Sequence, residues 1–92
     1  MTTPEPEALE GNVTAGPGGA MTAEVGVITG DLTIRTHRQA GGLVDVTVQH
    51  TGADEWYTLI GSPTAAPDGA LTGFHTTVLA AAARGGGAEV PR

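Results

Sequence analysis

The sequence predicts an α+β fold: a four-stranded antiparallel β-meander with one C-terminal α-helix packed on one face. Three observations carry that reading. From Leu43 to Ile60 two strand-like runs flank a short turn centred on Gly52 and Asp54. Upstream, two more β-branched runs lie around Gly30-Asp31. Downstream, Leu71, Phe74, Val78 and Ala81 or Ala82 recur at helical spacing.

The Leu43–His50 run is the firmest strand. Val44, Val46 and Val48 alternate with Asp45, Thr47 and Gln49, the period of a strand buried on one side. Ala40-Gly41-Gly42 suits a three-residue hairpin loop back to residues 32–38. Pairing Gln39 with Leu43 sets Ile34 against Val48, Thr36 against Val46 and His37 against Asp45. A slip by one residue would mate Arg35 and His37 with the valines, so the apolar pattern fixes this register.

Residues 23–29 read as the first strand, joined to residues 32–38 by a Gly30-Asp31 turn. One long strand with a bulge at Gly30 is the alternative. The hairpin would place Val25 and Val27 beside Leu32 and Ile34 in the core. For residues 55–60 loop length decides which side chains face inward, and the larger apolar ring favours Trp56 over Tyr57. Asp68 is the N-cap expected for a helix ending near Arg84, before Gly85-Gly86-Gly87. The expected core is Val25, Val27, Leu32, Ile34, Val44, Val46, Val48, Leu71, Phe74 and Val78.

The chain has 92 residues, enough for one small domain. Residues 1–22 are rich in Pro and Gly with little apolar content, and read as a disordered tail; residues 85–92 read as a second, short one. The single domain is then 23–84. No run is long and apolar enough for a transmembrane helix, and the first residues lack the pattern of a signal peptide, so the expectation is a soluble, cytoplasmic protein. With no Cys, neither a disulfide nor a thiolate-held metal is available. Small domains without such staples often self-associate, so a homodimer is expected.

The formal charge of −6, with ten acidic residues against four Arg and no Lys, favours basic partners. It opposes contact with phosphate backbones, which disfavours nucleic acid as a partner without removing it. No cofactor is implied: Gly16 to Gly19 follow no predicted strand, precede no predicted helix and lack the Lys of a phosphate loop. His37, His50 and His75 match no metal-ligand spacing, and no catalytic nucleophile motif is present.

What remains is the sheet face opposite the valines. It should carry Arg35, His37, Asp45, Thr47 and Gln49, with Tyr57 as the exposed aromatic. The leading expectation is a small acidic, non-enzymatic binding or regulatory protein whose partner, or second copy, contacts this face or an exposed edge strand. A nucleic-acid-binding module using the same face is the first alternative. A small enzyme or ligand carrier using His37 and Asp45 is the second. Several unrelated small folds resemble a four-stranded meander followed by a helix, including single-stranded-DNA-binding and ribosome-associated ones; no motif here carries a function across.

Overall fold

The computed structural model describes residues 8–65 and 71–91. It contains β1 (Ala8–Thr14), β2 (Ala20–Thr22), β3 (Gly26–Ile28), β4 (Asp31–Arg38), β5 (Leu43–His50), β6 (Tyr57–Thr58), β7 (Thr64–Ala65) and α1 (Leu71–Arg84). The protein is α+β: an antiparallel sheet in the order β1-β4-β5-β6, with the C-terminal helix packed on it. β7 pairs with β5 beyond β6. No helix among the described residues is long and apolar enough to cross a membrane.

The β4–β5 register is the one the valines demand, with Ile34 against Val48, Thr36 against Val46 and His37 against Asp45. Leu32, Ile34, Val44, Val46 and Val48 are fully buried, and Leu71, Phe74 and Val78 meet them from the helix. The outer edge of β5 is paired in two pieces. Leu59 donates its backbone N–H to Val46 at 3.0 Å, and the Val46 N–H then goes to Ser62 Oγ at 2.8 Å. A serine side chain therefore bridges the ladder between β6 and β7.

The first strand of the sheet is not 23–29 but Ala8–Thr14, within the stretch expected to be a tail. Leu9 and Val13 alternate with Glu10 and Asn12, and the inward position between them is Gly11. A side chain there would come within 2.9 Å of Leu79 Cδ1 and 3.2 Å of His75 Nε2, so the helix lies close against the strand where glycine permits it. The row of β4 groups that 23–29 was to occupy is thus taken by β1. Gly26–Ile28 instead pairs with Ala20–Thr22, across a turn held by Thr22 Oγ1, which accepts from the Val25 N–H and donates to the Gly26 carbonyl. That turns Val25 and Val27 outward, 53% and 47% exposed, and leaves Ile28 in the core. The hairpin is an excursion between β1 and β4; without it, sheet order follows chain order.

The C-terminal residues are packed as well, contrary to the second expected tail: Ala88 and Val90 are buried. The two glycine-rich runs meet backbone to backbone. Gly86 donates to the Pro17 carbonyl at 2.6 Å, Gly87 to Gly18 at 3.0 Å and Ala88 to Gly19 at 2.9 Å. A Cβ on Gly16 or Gly85 would run into the opposite main chain, and Gly85, Gly86 and Gly87 all have φ between 71° and 78°. Only glycine meets both demands. Residues 1–7 and the expected Asp68 cap lie outside the described residues.

Candidate functional site

Strand alternation leaves a second face on the sheet. Opposite the buried row lie Glu10 and Asn12 from β1, Thr33, Arg35 and His37 from β4, and Asp45, Thr47 and Gln49 from β5. The helix packs on the other side, against β1 and β4. Arg35 and His37 are exposed, while Asp45 and Thr47 are half-buried by their neighbours.

The structure brings Arg35, His37, Asp45 and Thr47 together around a shallow depression of about 410 Å³, and adds Trp56 to its wall. Trp56 was expected to face inward. The β5–β6 register pairs Tyr57 with the buried Val48 and Leu59 bonds to Val46, so the odd-numbered positions of this strand face the core. Leu59 is buried, Tyr57 packs against the core, and Trp56 falls to the polar side. Tyr57 therefore leaves the predicted site; its hydroxyl lies 3.5 Å from Glu55 Oε2. Gln49 shares the face but is engaged at the hairpin, donating to the Ala53 carbonyl at 2.8 Å. Leu59 and Trp56 have opposite parity along the strand, so burying Leu59 sends the indole to the polar face.

His37 and Asp45 are register partners, but the carboxylate is taken elsewhere: Asp45 Oδ2 accepts from Gln39 Nε2 at 2.7 Å. No described hydrogen bond joins the imidazole to Asp45. Arg35 is exposed on this face, with Glu10 its register partner on β1 and Trp56 in the same depression. Arg35 and Trp56 are residue types that dominate protein contacts when a partner desolvates them.

A carboxylate guards the far side of this surface. Glu24, in the β2–β3 turn, accepts from both the backbone N–H and the hydroxyl of Thr58, each at 2.7 Å. These bonds hold its pKa below the usual 4.5.

The remaining histidines stand apart from the depression. His50 is exposed at the end of β5, and His75 is buried on α1, where its Nδ1 lies 2.7 Å from Thr36 Oγ1. Among the described residues no group of three His, Cys, Asp or Glu is placed to hold a metal ion. Comparison with protein-family models, with curated proteins and with solved structures finds no match.

Proposed function

We propose that the protein is a small, non-enzymatic binding or regulatory module that holds a protein partner on its uncovered sheet face. The observation that supports this reading is the depression in which Trp56 stands with Arg35, His37, Asp45 and Thr47. An aromatic ring and an exposed arginine can anchor a contact, while the Thr47 hydroxyl and the Asp45 oxygen not held by Gln39 fix orientation. The net charge of −6 steers basic proteins toward the chain. A partner offering an apolar or aromatic group to Trp56 and an acceptor to Arg35 fits the local chemistry within that wider field.

The test is capture from native lysate by the tagged chain and by an Arg35→Ala, Trp56→Ala double variant, both checked for folding by circular dichroism. A protein retained by the parent and lost by the variant supports the reading. Equal retention by both, or recovery of nucleic acid alone, overturns it.

One observation favours a second reading. Trp56 beside Arg35 is also a platform on which a nucleobase can stack. A salt-dependent shift with single-stranded DNA, lost in the same double variant, would support that alternative; no shift at low salt would dismiss it.

A further inference from the structure

The two edges of the sheet are finished differently. Beyond β5 the edge is closed: Glu24 takes the Thr58 N–H, the Ala23 N–H goes to the Thr58 carbonyl at 2.9 Å, and Thr22 bridges Leu59. The other edge is β1, which pairs with β4 alone among the described residues. Its seven residues Ala8–Thr14 contain no Pro, no Lys and no bulge, three of the devices that keep an edge strand from pairing, and Glu10 is its one charged side chain.

Which groups face that edge follows from the ladder. Ala15 donates to the Gly30 carbonyl at 2.9 Å, so Val13, Gly11 and Leu9 alternate with it in turning their backbone groups toward β4. Ala8, Glu10, Asn12 and Thr14 consequently turn theirs outward. On the buried side the rim of this edge is apolar: Leu9, Val13 and Leu79 pack against the core and stay half-exposed.

We propose that β1 pairs antiparallel with β1 of a second copy, about a two-fold axis at Gly11, and joins the two sheets into one. The proposal stands on the edge and is independent of the outer-face reading. Symmetry permits few registers, and side-chain chemistry selects among them. Centred on Glu10, the pairing would set like carboxylates face to face; centred on Asn12, it would leave Ala8 and Leu9 unpaired. Centred on Gly11, all seven residues are used. Glu10 then meets the partner's Asn12, Leu9 meets the partner's Val13, and no like charges oppose. The four outward-facing residues offer N–H and C=O groups to the partner, at most about eight new hydrogen bonds. At the crossing point the Leu79 side chain of each copy lies over Gly11, so the two leucines meet across the axis.

The test is sedimentation equilibrium on the full chain from low to high micromolar concentration, with substitutions at Asn12. Its side chain points to the outer face, so a charge there meets solvent and not the core. The expected parent is a reversible dimer. Asn12→Glu, which opposes the partner's Glu10 twice by symmetry, weakens it roughly tenfold, while Asn12→Lys tightens it. Asn12→Pro removes an N–H that β4 does not use, and yields a monomer with an unchanged circular dichroism spectrum. A parent that stays monomeric overturns the proposal. So does a dimer that both charges affect in the same direction, which would place Asn12 opposite itself. If Asn12→Pro fails to fold, the Glu and Lys variants still decide.

Discussion

Thr36 Oγ1 and His75 Nδ1 lie 2.7 Å apart inside the core, a hydroxyl and an imidazole that join the central strand to the helix. Thr36 is 0% and His75 6% exposed, and the other ring nitrogen, Nε2, is buried with no hydrogen-bond partner. Burial lowers the His75 pKa from its ordinary 6.5, and the Glu10 backbone pulls the other way more weakly.

The sign of the pH dependence follows. Between its lowered native pKa and the ordinary 6.5, His75 carries fewer protons folded than unfolded, so stability rises with pH across that interval. Its contribution is complete above 6.5 and is lost as pH falls below it. Urea midpoints measured through this range should fall on acidification in the parent. In His75→Leu that part of the slope should disappear. Thr36→Val leaves Nδ1 without its partner and should cost about 1–3 kcal/mol, read from the urea midpoint at pH above neutrality.

The glycine-to-glycine seam should be intolerant of a single methyl group. Gly85→Ala combines a left-handed φ of 78° with a collision against the Gly16 and Pro17 main chain. A cost of about 2–4 kcal/mol is expected. Gly41→Ala is the control, because a Cβ there meets nothing within 4 Å and its φ is not left-handed. Thermal melts of the two variants should therefore separate widely; equal small losses would contradict the packed seam.

Glu24 should titrate below 4.5 by carboxyl-carbon NMR, since Thr58 donates to the ionised form twice. What this clamp contributes is present above pH 4.5 and is lost as pH falls through the lowered native value. In Glu24→Ala the Thr58 amide should exchange with solvent faster than in the parent, while amides in β4 keep their protection. An unchanged Thr58 exchange rate would mean that the turn does not close this edge.

The fold was legible wherever apolar residues alternate with polar ones and no glycine intervenes. Val44, Val46 and Val48 sufficed to fix the β4–β5 register, the buried side and the face left free. The β1 strand was hidden because its central inward residue is Gly11, which reads as punctuation and is in fact the space Leu79 occupies. Val25 and Val27 misled for the opposite reason. They alternate like core residues, but a three-residue excursion turn decides their direction, and Thr22 sets it through bonds that periodicity does not encode. The paired glycine runs were read as flexible because each alone has no partner; their order comes from one another, across the length of the chain.

Of the candidate site, Arg35, His37, Asp45 and Thr47 were legible from strand parity alone. Trp56 was misplaced by the argument that the larger ring gains more from burial. The register of a short strand is set by Leu59, which is buried against Val46, and the indole follows.

Amide chemical-shift mapping of the labelled chain with its captured partner tests the proposed binding face most directly. Perturbations should concentrate at Arg35, His37, Asp45, Thr47 and Trp56, with α1 unaffected. Perturbations confined to α1 or to the β2–β3 hairpin, with this cluster silent, would contradict it.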